Sequence, residues 1–379
     1  MTQRSRRVPV LFFAIVLAAI SASSPLLAER WKLQYFHDEN DSSLSLIDMT
    51  FPSAKVGIAC GVLTTKTDPK GDGVVLLTSD SGKTWQTIKV KEVPVSLYFL
   101  DDSIGYMVTQ RGIWKTEERG LTWKKLKGTN GILRVHFIDS KRGFAVGFRK
   151  QMLSTVDGGL TWKPVEAAQT ASSKPEHTVY HWIAFDGPDR AIVLGHYEPP
   201  RKNLLQVPEW ADPEAAQRIR ERPTLSITLE TKDGGKTWNP QTAPIFGKLA
   251  LLRFMPKGMY GLSIVQFDNA FKFPSELQLV NWRSGKSESV FAKPDRHIVD
   301  VGFLGPASGA ILAAIERPGT MVNSPLPGKL KILKANNLRS WIEMPVDYRA
   351  TGTDAILSVV DEKNAWVALD SGMILRLEP

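Results

Sequence analysis

An apolar anchor recurs along the chain at Phe51, Phe99, Phe137, Phe185, Phe254, Phe303 and Val359. Two residues before each anchor lies another apolar side chain: Met49, Leu97, Val135, Ile183, Leu252, Val301 and Leu357. Polar residues fall out of phase with them in several copies, at Asp48, Arg134, His136, Arg253 and Asp300. Alternation of period two marks a strand buried on one face. Six residues after the anchors stand Gly57, Gly105, Gly143, Ala191, Tyr260, Gly309 and Ala365. Each copy therefore predicts an inner strand, a turn and a second strand. Gly and Pro recur too often for long helices. The exception lies between Glu198 and Pro223, where Asp212-Pro213 opens EAAQRIRER with an N-cap residue and Pro at the first helical position. A short helix on a loop, within an insertion at about 199–223, is expected there.

A second repeat overlies the first. Thr78–Trp85, Thr116–Trp123, Thr155–Trp162 and Thr231–Trp238 all read S/T-x-D/E-x-G-x-T-W, the Asp-box. The first three tryptophans are 38 and 39 residues apart, the length of one four-stranded propeller blade. Within the box, Asp80, Glu118, Asp157 and Asp233 can accept hydrogen bonds from backbone N–H groups of their own turn. Gly82, Gly120, Gly159 and Gly235 supply a conformation that a Cβ resists. The Thr hydroxyl is expected to tie the turn to the next strand. Trp85, Trp123, Trp162 and Trp238 are large apolar bodies suited to wedging between blades. These carboxylates read as clasps, not as catalytic groups.

Seven copies predict an all-β, seven-bladed propeller. Blade five has lost the acid and the tryptophan of the box, and blade six carries Asn336 at the acid position with Ser340 and Trp341 after it. The chain ends one strand short of a seventh blade. The segment Glu29 to Phe36 precedes the first inner strand, and its Trp31-Lys32 echoes Trp123-Lys124. It is expected to supply the outer strand of blade seven, closing the ring and leaving no loose edge.

The connections between second and third strands are long in blades one, four, five and six, and share the face opposite the boxes. Loops collected on one face of a rigid scaffold are where binding is usually built. Trp210, Phe267, Phe271 and Phe273 lie in them, with Arg201 and Lys202 as basic candidates. Arg134, His136 and Arg253 on inner strands either line a ligand site or pair between blades. His177 and His181 sit too far apart on a strand for an easy common metal site. No metal and no cofactor is expected.

Arg4, Arg6 and Arg7 followed by an apolar run from Val8 to about Ile20 have the order of a secretory signal peptide over residues 1–28, with cleavage after Ala28. A retained anchor is the alternative. The mature chain is expected to be periplasmic or secreted. Loss of three arginines lowers the formal charge from +9 to +6. No dense Lys/Arg cluster interleaves with aromatics, so nucleic acid is not an expected partner. The lone Cys60, in an apolar strand, cannot form an internal disulfide and reads as a buried thiol.

The boxes and the seven-unit repeat resemble the BNR/Asp-box superfamily. The cadence FIDSKRGFAVG…LSTVDGGLTWKPV, from Phe137 to Val165, is most similar to its photosystem II assembly and stability factors. That resemblance implies a non-enzymatic propeller that docks a client protein or membrane complex at an exported membrane face through a basic patch. A carbohydrate-binding or glycan-cleaving, sialidase-like propeller is the alternative. Sialidases use three arginines, a Tyr/Glu pair and an acid/base Asp. Their Arg-Ile-Pro phrase has no counterpart in SLSLIDMTFPSAKVG, here Ser43 to Gly57.

Overall fold

The computed structural model describes residues 29–379 other than 40, 200–222, 257, 268–272, 282–283, 306–308 and 318–326. Seven antiparallel sheets follow one another, each built around a meander of consecutive strands. The inner strands are Ser42–Thr50, Pro94–Phe99, Ile132–Phe137, Thr178–Asp186, Lys248–Phe254, Arg296–Phe303 and Ala355–Val359. This is the seven-bladed propeller that the repeat predicts. The N-terminal strand Arg30–Phe36 pairs with Met373–Glu378 as the outer strand of blade seven, so the two ends of the chain close the ring. Trp31 is 1% exposed within an apolar cluster shared by blades six and seven.

The anchor repeat has a steric cause. A Cβ on Gly57, Gly105 or Gly143 would lie 2.3, 2.4 or 2.5 Å from the ring of Phe51, Phe99 or Phe137. Each ring covers the backbone opposite it, and only glycine leaves the room. The six-residue spacing fails in blades five and six. There Phe254 pairs with Gly261 and Phe303 with Ala310, one residue later than the sequence repeat places them. A longer turn moves the partner while the ladder continues.

Box tryptophans fill the gaps between blades. Trp85 sits edge-on to Phe51 at 5.9 Å and near Tyr35 of blade seven at 6.3 Å. Six apolar clusters stitch neighbouring blades, among them one joining blade one to blade two around Cys60.

Within the boxes, Asp80 accepts from the Thr84 N–H at 2.9 Å and from the hydroxyls of Thr84 and Thr78 at 2.7 and 2.8 Å. Asp157 and Asp233 repeat the pattern. Both threonine hydroxyls therefore fold back on the acid and do not reach for the next strand. Thr78 Oγ1 also accepts from the Gly82 N–H at 2.9 Å. These donors hold Asp80, Asp157 and Asp233 down to about 2. In blade six Asn337 Oδ1 accepts from the N–H groups of Arg339 and Ser340 at 3.0 and 2.8 Å.

The described helical turns are two short 3-10 helices, Glu166–Gln169 and Pro175–His177, between blades three and four. Buried Lys150 organises this connection by donating to the carbonyls of Ala171 and Gln169 at 2.6 and 3.3 Å. The helix expected from Asp212 onward lies outside the described residues.

Candidate binding site in the central channel

Six inner strands carry a one-residue register irregularity at the same place: ahead of Asp48, Ser96, Arg134, Trp182, Leu251 and Asp300. An extra residue bends a strand and re-aims the side chains that follow. Here they turn towards the next blade around the channel. Asp48 accepts from the Leu97 N–H of blade two at 2.9 Å. Ser96 and Tyr98 donate to Leu133 and Phe137 carbonyls of blade three, both at 2.6 Å. Trp182 Nε1 donates to the Leu252 carbonyl of blade five at 2.8 Å. Asp300 accepts from the Leu357 N–H of blade seven at 2.9 Å, and Ser358 accepts from the Phe51 N–H of blade one at 2.8 Å. One row of side chains thus stitches the ring in a single rotational sense.

Two arginines of these inner strands, Arg134 and Arg253, meet side chains of neighbouring blades. The Arg134 guanidinium lies 4.5 Å from the Trp182 ring centre and the Arg253 guanidinium 5.4 Å from the same ring. Indole attracts a cation across its face, more strongly where water is thin. Arg253 binds Asp300 through Nε and Nη2 at 3.2 and 2.9 Å. Arg134 approaches Asp48 at 3.7 Å, an ion pair beyond hydrogen-bonding range. Each arginine side chain remains 35% exposed, whereas Asp48 and Asp300 are 11% and 6% exposed. Carboxylates anchor the arrangement from below, and guanidinium edges face open space.

His136 adjoins this group. Its ring stacks on Phe185 at 4.7 Å and lies 4.9 Å from Tyr98. Burial lowers its pKa to about 4, so at neutral pH the positive charge comes from the arginines. Burial raises the Asp48 carboxyl above its ordinary range, against the pull of Arg134 and two backbone N–H groups.

The structure thus brings Arg134, His136 and Arg253 towards one region of the channel and adds Trp182, which sequence reasoning passed over. The signal was present: Trp182 occupies the offset in its repeat that Arg134 occupies in the preceding one. Arg201, Lys202, Trp210 and Phe271 lie outside the described residues. His181 lies beside His196, ring centres 5.2 Å apart, while His177 lies near Tyr197. Among the described residues no group of three or more His, Cys, Asp or Glu could hold a metal ion. No helix among them is long and apolar enough to cross a membrane.

No family model matches the chain, and no curated protein matches it. Solved structures do. YCF48 from Cyanidioschyzon merolae aligns at a TM-score of 0.59 and 14% identity, covering 92% of this chain and 98% of that one. A structure of YCF48 bound to D1 peptide aligns at 0.58, with the same identity and coverage. The extracellular domain of BT4673, a putative one component system from B. thetaiotaomicron, aligns at 0.56 and 10% identity, over 91% of this chain and 39% of that one. At such identities the likeness establishes the fold alone, the seven-bladed propeller that this chain shares with YCF48.

Proposed function

We propose that this chain is an exported, non-enzymatic propeller that holds an extended, carboxylate-bearing segment of a client protein at the channel. The observation that carries this reading is the pair of half-exposed guanidiniums flanking Trp182. Arginine presents planar N–H donors matched to carboxylates and carbonyls, and an indole between two arginines offers an apolar platform. The D1 peptide seen with YCF48 supports a peptide as the class of partner. The two channel carboxylates of this row, Asp48 and Asp300, are engaged by backbone N–H groups and arginine. A glycosidase needs such carboxylates free to exchange protons. The charged start of the chain and its apolar run support export, with cleavage after Ala28 and a periplasmic or secreted location.

The test is a displayed peptide library panned against residues 29–379 and against the double variant Arg134→Gln, Arg253→Gln. Recovery of acidic or C-terminal peptides by the first protein alone is expected, with affinity lost by at least ~10-fold in the variant. Thermal denaturation checks that the variant is folded. Equal recovery by both proteins removes the channel as the site. Binding to a glycan array with no peptide recovered returns the carbohydrate reading.

A further inference from the structure

His181 and His196 stand on the first two strands of blade four, Thr178–Asp186 and Arg190–Tyr197. His181 occupies the register irregularity between Tyr180 and Trp182, where an extra residue re-aims the side chain. Its ring centre lies 5.2 Å from that of His196, with 49° between the planes. His181 Nε2 lies 2.8 Å from the Leu249 carbonyl of blade five. A carbonyl only accepts, so Nε2 carries the proton and Nδ1 keeps its lone pair. His181 Nδ1 and His196 Nδ1 are both buried with no hydrogen-bond partner among the described residues. The same holds for Ser226 Oγ, and Ser226 stands directly opposite His196 in the ladder. Residues opposed in this way project to one face, their Cβ atoms about 4.5–5.5 Å apart. Three orphaned polar atoms thus gather at one point, which costs stability unless something satisfies them.

The spacing of the two rings fits a shared ion. Zinc sits about 2.1 Å from an imidazole nitrogen and so about 3.2 Å from the ring centre; two rings at the tetrahedral angle then have centres about 5.2 Å apart. A histidine ligand commonly donates its other ring N–H to a backbone carbonyl, as His181 does to Leu249. Burial lowers the pKa of His181 to about 4 and also lowers that of His196, so both rings are in the neutral, ligating form at pH 7. Two cations lie near, and both are engaged: Lys248 pairs with Glu198 at 2.6 Å, and Arg134 faces Asp48 and the Trp182 ring. We propose that His181 and His196 form a two-histidine site for a divalent transition-metal ion of the zinc type, with water in the remaining positions and Ser226 as hydrogen-bond partner to that water. Imidazole suits ions of this class, whereas calcium and magnesium take oxygen ligands. Spacing along one strand sets His181 beside His177; the ladder gives it His196 from the next strand instead. The site shares no residue with the channel guanidiniums and holds whether or not a peptide binds there.

Residues 29–379, treated with chelator and dialysed, are titrated with zinc chloride at pH 7 in a calorimeter. Binding of one ion per chain is expected, weakened at least ~10-fold by His196→Phe and by His181→Phe and unchanged by His177→Phe. His181 also bonds Leu249, so its variant loses a structural contact as well. His196→Phe leaves that contact in place and carries the test. Zinc is expected to raise the melting temperature of the parent and leave that of His196→Phe where it was, because an ion that binds only the folded chain stabilises it. Equal zinc binding by the parent and His196→Phe, or none by either, overturns the proposal. A matching loss in His177→Phe also overturns it.

Discussion

Single residues in the box turns carry strain that can be relieved. Ser81 and Arg119 adopt φ of 67° and 59°, where blades three and four place Gly158 and Gly234 at 72°. A left-handed residue with a Cβ costs about 1–2 kcal/mol, partly offset by the unfolded-state entropy that glycine adds. Ser81→Gly and Arg119→Gly are each expected to stabilise the ring by about 0.5–1 kcal/mol in urea unfolding. Acid sensitivity also originates here. Burial lowers His136, His181 and His297 to about 4 from an ordinary 6.5. Below 6.5 the unfolded chain binds these protons more readily, so stability falls as pH drops towards 4. The box acids, depressed from 3.8 to about 2, add a second loss below 3.8. Urea midpoints measured from pH 8 to 3 should show the first decline, and His136→Phe should reduce it. A profile flat between 6.5 and 4 would refute the neutral-histidine assignment.

At the scale of elements, the N-terminal strand and the inter-blade stitches set cooperativity. Trp31→Ala removes a fully buried indole from the seam of blades six and seven, where such truncations cost about 3–5 kcal/mol. Removing residues 29–36 is expected to lower the melting temperature of the whole ring, not to fray one end. Calorimetry that kept one unshifted transition would show the strand to be dispensable. Asp300→Ala leaves the Val301 and Leu357 N–H groups and Arg253 without their acceptor. Breaking such a buried pair costs about 3–5 kcal/mol, readable in chemical denaturation. The strand count was legible because each blade repeats its alternation locally. The register of blades five and six was not, because turn length alone decides whether Phe254 faces Tyr260 or Gly261.

For the whole molecule, ring closure makes neighbours of residues far apart in sequence. Blades four and five meet through polar contacts: His181 Nε2 lies 2.8 Å from the Leu249 carbonyl, and Lys248 pairs with Glu198 at 2.6 Å. The insertion of blade four begins beside this seam, and Trp182 and Arg253 line it. Partner binding at the channel is therefore expected to stabilise this seam first. Hydrogen exchange with a captured peptide should show protection in 178–186 and 248–254 before other inner strands. Protection confined to the outer strands would move the site off the channel.

The chain by itself determined the propeller, the number of blades, the clasp motif and the strand that closes the ring. Each is written in short-range periodicity or in a motif whose hydrogen bonds stay within one turn. Only the tertiary structure decided what the out-of-phase polar residues do. Asp48 meets Leu97, Asp300 meets Leu357, and Trp182 receives Arg134 and Arg253 from blades on either side. These partners lie on different blades. A repeated sequence fixes each blade's interior but not which side chains meet across the seams when the ring closes.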